Sequence, residues 1–280
     1  MGQQSNIAAL VLTHNEELNL HACLRAISWV DDVLVLDSFS SDATVEIAKC
    51  EGARVLQNRF HDFASQRNFG IENGQFKQEW LLHLDADEIV TADLRDELLS
   101  VTSKGEKDAY QVASKMMFEG RWLKHAGLYP CYQVRLGRTN ILRFHQAGHG
   151  QREDLSRERI GTLRNALIHH SFSKGIAHWI ERHNRYSTDE AEHFLESKQP
   201  IDWAGVLSMG DRSRRGRALK QVLGHLPFRP ALRFLYMYLW RRGFLDGRAG
   251  LTYCCLLAIY EYFIVLKIRE QQRGSAGRQP

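Results

Sequence analysis

A framework of paired cysteines is the first thing absent from this 280-residue chain. Its five cysteines, Cys23, Cys50, Cys131, Cys254 and Cys255, are odd in number and scattered, with no Cys-x-x-Cys pair. That argues against a disulfide-stapled domain, a zinc ribbon and a dithiol redox site, and predicts reduced thiols in cytosol. Residues 1–6 have neither the basic start nor the apolar stretch of a signal peptide, so export is not expected. The apolar run 251–266 holds Glu261 and falls short of the roughly 20 residues of a spanning helix. No Gly-x-Gly-x-x-Gly follows either of the first two apolar strands, which argues against a dinucleotide oxidoreductase. Internal repeats are absent, and only the tail from Gln271 is expected to be disordered.

What is present is an ordinary globular composition, 44% hydrophobic and 25% charged, in a chain long enough for one large α/β domain with an appendage. The formal charge of +4 is unevenly placed. Between residues 211 and 248 ten Lys and Arg, among them Arg212, Arg215, Lys220, Arg241 and Arg242, face only Asp211 and Asp246. Such a stretch suits nucleic acid, anionic lipid or a phosphorylated substrate. Aromatics including Phe228, Trp240 and Tyr262 are interleaved with these cations on apolar helices, which favours the lipid interface over a nucleic-acid groove. The competing expectation is a helical cap packed on the catalytic domain.

Short apolar, β-forming runs at 7–12, 33–36, 54–57 and 80–84 alternate with helical periodicity at 18–27, at 43–50 and around Phe63, Phe69 and Ile71. Strands alternating with helices predict a parallel, doubly wound sheet. Ligands of such sheets bind beyond the carboxyl ends of the strands, so the polar clusters at 13–17, 37–42 and 85–88 are expected to converge. From residue 108 the pattern turns strand-like at 110–117, 131–136 and 141–144, a mixed-sheet half built onto the first. A loop at 146–154, a short strand at 167–170 and an amphipathic helix over 176–194 follow, with long helices from 226. This divides the chain into a catalytic domain, 1–195 (halves 1–105 and 106–195), and a helical C-terminal region, 196–280.

Asp85 and Asp87, two carboxylates one residue apart at the end of a buried strand, suit a divalent cation that also touches a diphosphate, because Mg²⁺ and Mn²⁺ prefer oxygen ligands. Asp87 is expected to be the direct ligand, with Asp85 acting through water or on the sugar and ribose; a plain surface turn is the bland alternative. Thr13, Asn15 and Glu16 offer hydroxyl, amide and carboxylate groups to a nucleoside, and Asp37 could accept from a base N–H or a ribose hydroxyl. Helix capping by Asn15 and Asp42 is compatible with that. Arg67 and Asn68 could reach the diphosphate or base. A base for an acceptor hydroxyl is offered by Glu153, with Asp154 as its rival, in a loop whose His149 could add a metal or phosphate contact. His169 and His170 read as packing residues or as neighbours of the metal ligands more readily than as ligands themselves.

With those residues named, segments 10–17, 36–44 and 82–88, in that order, resemble family 2 glycosyltransferases of GT-A fold, particularly bacterial enzymes that extend lipopolysaccharide core or exopolysaccharide; the likeness spans about residues 7–185. The resemblance implies that Thr13 and Asn15 lie at the first nucleotide-binding strand end, that Asp37 and Ser38 form the base-recognition turn, that Arg67 contacts the donor, and that Asp85 and Asp87 are the metal motif for Mg²⁺ or Mn²⁺. It implies inversion at the anomeric carbon by one displacement, from a nucleotide-sugar, a UDP-sugar, to a lipid-linked saccharide; the basic, aromatic C-terminus in turn predicts peripheral attachment to the cytoplasmic face of the inner membrane beside that acceptor, with no nucleic-acid partner. One departure stands out: many core-extending relatives carry Val-His-Glu near the position of Gly148-His149-Gly150, so Glu153 is a displaced or different carboxylate. Residues 241–247, Arg-Arg-Gly-Phe-Leu-Asp-Gly, also resemble that group's tail. A sugar-phosphate nucleotidyltransferase would instead need a Gly-rich, basic loop after the first strand, which 13–17 is not. The non-enzyme alternative is a membrane-associated nucleotide-binding protein without catalysis.

Overall fold

The computed structural model describes residues 6–147, 150–196 and 228–275, together with positions 202 and 204. In the first half, β1 (Ile7–Thr13), β2 (Asp32–Asp37), β3 (Arg54–Gln57) and β4 (Trp80–Asp85) are linked by α1 (Leu20–Ala26), α2 (Thr44–Cys50) and α3 (Phe63–Asn73). These strands run parallel in the order β3-β2-β1-β4. Every residue of β1 is buried, as a central strand covered on both faces requires. Its alternate side chains enter separate cores: Ile7, Ala9 and Val11 pack with Leu20, Leu24 and Leu94, while Ala8, Leu10 and Leu12 pack with Ala64 and Ile71 of α3.

The second half adds β5 (Glu88–Ile89), α4 (Ala92–Lys104), β6 (Ala109–Phe118), β7 (Arg121–Trp122), β8 (Tyr132–Arg138) and β11 (Ile160–His169), extending the sheet as β4-β8-β6-β11-β5 with β7 on β6. β8 is antiparallel to both β4 and β6, so the sheet is mixed as expected. A separate antiparallel hairpin, β9 (Phe144–Ala147) with β10 (Gly150–Glu153), docks on α3 through Asn68, whose amide donates to the Phe144 carbonyl (2.8 Å) and accepts from its N–H (3.0 Å).

Several expectations need correction. Residues 141–144 are not a strand: the amides of Ile141 and Leu142 turn back on the Arg138 carbonyl, and β9 begins only at Phe144. The expected loop 146–154 is largely this hairpin, and β11 starts at Ile160, well before residue 167. Helix α4 was not anticipated, although Thr91 caps it by accepting the Leu94 amide (3.2 Å) and Gly105, at φ 62°, ends it in the left-handed conformation. Asn15 caps nothing; its carbonyl accepts from Ser41 across the turn, whereas Asp42 does accept the amide of Thr44 that opens α2. Asn68 is consumed by the hairpin.

Contacts group residues 1–124 with 129–176 as one compact unit, and residues 125–128 with 177–280 as another. Among the described residues, the second unit holds most of α5 (Gly175–Glu196), α6 (Arg229–Leu235), a π-turn (Tyr236–Trp240), a 3₁₀ turn (Gly243–Asp246) and α7 (Gly247–Ser275). The last helix continues past Gln271, where disorder was expected. The helical stretch Gly243–Arg273 is long and apolar enough by itself to cross a membrane, a correction to the shorter run read from the sequence.

The 241–247 motif is explained by its geometry. Arg242 and Gly247 adopt positive φ, 60° and 66°. A Cβ on Gly250 would lie 2.2 Å from the Gly243 carbonyl, so the turn and α7 meet backbone to backbone. Asp246 is buried and its carboxylate accepts the amides of His125 (2.9 Å) and Ala126 (2.7 Å), holding that segment from 120 residues away. Asp246→Ala is expected to leave two amides without partners at a cost of about 1–3 kcal/mol, with Asp246→Asn retaining much of the stability because its amide oxygen still accepts; denaturant unfolding monitored by circular dichroism checks both.

Candidate active site

The turn after β4 is built from buried charge. Gly70 and Gly74 let α3 lie close on the sheet, since a Cβ at Gly70 would come within 2.6 Å of the Leu10 side chain. That approach carries Arg67, 1% exposed, over the end of β4. Its Nη2 meets Asp85 Oδ1 at 2.6 Å and its Nε donates to Gln151 Oε1 at 3.2 Å. From β8, Arg135 reaches the other Asp85 oxygen at 2.7 Å and Glu88 Oε1 at 2.5 Å. Glu88 Oε2 in turn accepts the Asp85 amide at 3.0 Å.

Burial opposes ionisation of Asp85, but the Arg135 and Arg67 guanidinium groups outweigh it and hold the carboxyl well below the usual range. Arg67 falls to about 10, chiefly from burial and partly through repulsion by Arg135, with Asp85 pulling the other way. Burial likewise pushes Glu88 up against the attraction of Arg135. His83, two residues before Asp85, is fully buried with its ring edge-on to Phe144; burial and then the two arginines hold it far below its ordinary value, so it is neutral. Among the described residues Arg67 Nη1 and Arg135 Nε have no partner, and such orphans in a buried cluster call for a ligand or water to satisfy them.

Asp87 takes no part in this quartet. Its Oδ2 lies 3.3 Å from His169 Nε2, and its carbonyl accepts the His170 amide at 2.8 Å. His169 ends β11, where it is in register with Glu88 on one side and Met116 on the other. Burial lowers the imidazole's affinity for a proton, but attraction by Asp87, then Glu88 and Asp85, pushes it up to about 9. Among the described residues no three His, Cys, Asp or Glu side chains converge as a ready metal cage. Asp87 and His169 are a partial donor set, which Mg²⁺ or Mn²⁺ can accept because these ions keep waters and take substrate oxygens.

The ends of β1 and β2 form a second polar cluster. Asp37 is fully buried and saturated: Thr13 Oγ1 (3.1 Å) and Ser40 Oγ donate to one oxygen, and the Ser40 amide (2.9 Å) and Gln57 Nε2 (3.0 Å) donate to the other. Asn15 donates its amide to Ser40 Oγ and accepts from the Ser41 amide at 2.7 Å. Ser38 Oγ accepts from Gln66 at 3.2 Å. Glu16 accepts from Asn19 (2.7 Å) and pairs with Lys174 at 2.5 Å, while Lys174 also donates to the His14 carbonyl; burial raises the Glu16 carboxyl above its ordinary value despite these partners. The segment following His169 is thereby fastened to the β1 turn.

Glu153 and Asp154 separate at the end of the hairpin. Glu153 shares the strand face of Gln151, the partner of Arg67, and is half-buried, whereas Asp154 is exposed and engaged through its amide with the Arg143 carbonyl. His149 lies outside the described residues. Reasoning from sequence missed Arg135, Glu88 and Lys174. For Arg135 a signal existed, an arginine set between the apolar Val134 and Leu136, and Glu88 follows directly on Asp85-Ala86-Asp87.

Known proteins resemble this chain over most of its length. A relative in Rickettsia typhi, an uncharacterised glycosyltransferase, is 24% identical over 277 residues, covering 94% of this chain and 87% of its own length. The lipopolysaccharide core biosynthesis glycosyltransferase LpsC of Rhizobium meliloti is 26% identical over 271 residues, covering 91% and 92% respectively. Among solved structures, S. aureus TarS 1–349 in complex with UDP-GlcNAc matches with a TM-score of 0.44 at 16% identity, covering 96% of this chain and 92% of that one. The Pyrobaculum calidifontis mannosyltransferase PcManGT, in complex with GDP-Man and Mn²⁺, matches with a TM-score of 0.48 at 15% identity over 95% and 88%. Residues 9–163, more than half of the chain, match the model of the family described as Glycosyl transferase family 2, and the chain belongs to that family of glycosyltransferases.

Proposed function

We propose that this glycosyltransferase moves a sugar from a nucleoside diphosphate sugar, a UDP-sugar, to a hydroxyl of a lipid-linked or lipopolysaccharide-type saccharide, by a single inverting displacement assisted by Mg²⁺ or Mn²⁺. The observation that carries the reading is the division of labour at the β4 turn: Asp85 is consumed by two arginines, and Asp87 stands apart beside His169. Asp87 would hold the cation, with His169 joining it once the imidazole proton is displaced, and diphosphate oxygens and water would complete its shell. When bound, the cation supplies charge neutralisation to the departing diphosphate. Asp85, 30% exposed and held ionised, accepts a ribose or sugar hydroxyl without moving. Thr13, Asn15, Glu16, Asp37 and Ser38 shape the nucleoside side, and Arg67 steadies both Asp85 and the hairpin. Glu153, on the face turned toward Arg67, takes the proton of the acceptor hydroxyl. The name of LpsC supports an acceptor in lipopolysaccharide core; exopolysaccharide is chemically equivalent.

We further propose peripheral attachment at the cytoplasmic membrane surface. Trp240 is 81% and Phe228 72% exposed, with Leu239, Phe244 and Leu245 also exposed and Arg241, Arg242 and Arg248 close by in the chain. Apolar tips with neighbouring cations suit an anionic lipid interface. A spanning role for α7 is disfavoured by its polar engagements: Glu261 pairs with Arg229 at 2.5 Å, and Lys267 donates to Asn184, Ser187 and Thr188 of α5.

Asp87→Ala and His169→Ala are each expected to lower metal-dependent donor turnover by about 10²-fold or more while leaving the fold intact, read by nucleoside diphosphate release across a Mn²⁺ titration. Asp85→Asn should instead destabilise the protein by about 3–5 kcal/mol, because two buried guanidinium groups lose their shared counter-charge; equal melting points for Asp85→Asn and Asp87→Ala would contradict this division. Glu153→Gln should cost about 10²–10⁴ in transfer rate, with Asp154→Asn close to wild type; the reverse order would move the base to Asp154. Flotation with anionic liposomes should be lost in a Trp240→Glu, Phe228→Glu double variant, and undiminished flotation would end the attachment proposal.

A further inference from the structure

The facing turns beyond β1 and β2 each hold a non-glycine residue in the left-handed region, Asn15 at φ 53° and Phe39 at φ 58°. Asparagine tolerates that conformation because its short side chain bonds locally, and here Asn15 Oδ1 accepts the Ser41 amide. Phenylalanine has no such compensation, and a bulky residue there is an outlier. The conformation is imposed from both sides of Phe39. Before it, Ser38 donates its amide to the Thr13 carbonyl at 2.9 Å. After it, Ser40 donates both amide and hydroxyl to Asp37. The phenyl ring is turned outward and is 57% exposed. Glycine would occupy the position without steric cost, and a phenyl left more than half exposed gains little from burial. Strained backbone and exposed apolar ring thus stand at one position with no return within the fold, and such outliers gather where a ligand is met.

The position identifies the ligand's chemistry. Phe39 lies past the carboxyl end of a parallel strand, where ligands of this sheet type bind. The carboxylate of that turn cannot read a base edge without dismantling the turn, since both Asp37 oxygens already receive two donors. What the turn offers outward is a flat aromatic face. We propose that Phe39 is a substrate-binding residue that stacks on the nucleobase of the donor, an inference that rests on the nucleotide-sugar reading above and extends it to a named contact. Stacking on an aromatic ring serves any base, because every base has a π-face, so Phe39 supplies affinity for the nucleoside and the choice among bases is made elsewhere.

The test uses the full chain with UDP, uridine and inorganic pyrophosphate as probes, by calorimetric titration and thermal melting, on wild type, Phe39→Gly, Phe39→Ala and Phe39→Trp. Phe39→Gly is expected to weaken UDP and uridine by the same factor, about tenfold for one lost stacking contact, to leave pyrophosphate unchanged, and to raise the melting temperature by about 2–4 °C as the left-handed strain is relieved. Phe39→Ala should lose the same affinity without the gain in melting temperature, since its Cβ remains, and Phe39→Trp should keep wild-type affinity. Unchanged UDP affinity in Phe39→Gly overturns the proposal, as does a fall in both affinity and melting temperature, which would make the ring a structural element. Wild type that binds neither UDP nor any other nucleoside diphosphate refutes the donor reading itself, a result distinct from both.

Discussion

One carboxylate shared between two buried guanidinium groups is the constraint around which the site is organised. Arg67 and Arg135, 1% and 3% exposed, come from α3 and β8, elements that lie on different parts of the sheet, and both end on Asp85. Removing such charges from water is costly, and the cost is recovered only when geometry and hydrogen bonding are nearly complete. The arrangement therefore fixes where β4 stops, and with it the direction in which the next residues leave the sheet. Glu88 completes the cluster by accepting the Asp85 amide while pairing with Arg135. Asp87, between Asp85 and Glu88 that are held in this way, meets His169.

Much of the first half was legible because burial on both faces of a parallel strand leaves a continuous apolar run that a sequence displays directly. Runs 7–12 and 80–84 differ from the observed strands by a single residue at the carboxyl end. The errors lie where long-range pairing decides. Helix α4 has ordinary caps but sits between an acidic turn and a polar stretch, and only its packing of Leu94 and Leu98 on the sheet makes it necessary. Residues 160–166 are of mixed polarity and extended because β6 pairs alongside them. Periodicity reports which face a side chain occupies and says nothing about its partner, so Arg135 and Lys174 could not be placed from spacing alone.

The turns beyond β1 and β2 teach a related point about polar clusters. Thr13, Asn15, Glu16, Asp37 and Ser38 do gather in one place, yet most of their side-chain hydrogen bonds run to one another or to Ser40, Ser41, Gln57 and Lys174. A carboxylate that builds a turn and one that holds a ligand look alike in a sequence, because both need the same acceptor at the same strand end. Coordinates separate the two by counting donors. With four donors on Asp37, the turn behaves as a preformed scaffold that need not reorganise on binding, and preorganisation of that kind lowers the cost of association. The contacts left to a ligand then include backbone groups, the Asp85 carboxylate, the arginine nitrogens unpartnered among the described residues and the outward ring of Phe39.

The 241–247 turn can be parsed by the same accounting. Gly243 is small because a Cβ there would lie 2.8 Å from the Met237 carbonyl, and Gly247 is glycine at a positive φ; Asp246 is acidic because two amides converge on it. Each of these residue types is demanded by local geometry. Leu245 is not, since it is 56% exposed, whereas Phe244 keeps one ring contact, edge-on to Tyr238, and is otherwise open. Trp240 just before them is in the same position. Large apolar side chains left exposed beside arginines are the pattern on which the proposed membrane attachment rests. Under that proposal a lipid headgroup region, apolar beneath and anionic above, would meet both kinds of side chain, whereas a folded partner would have to supply an apolar socket and a ring of acids at the same spacing.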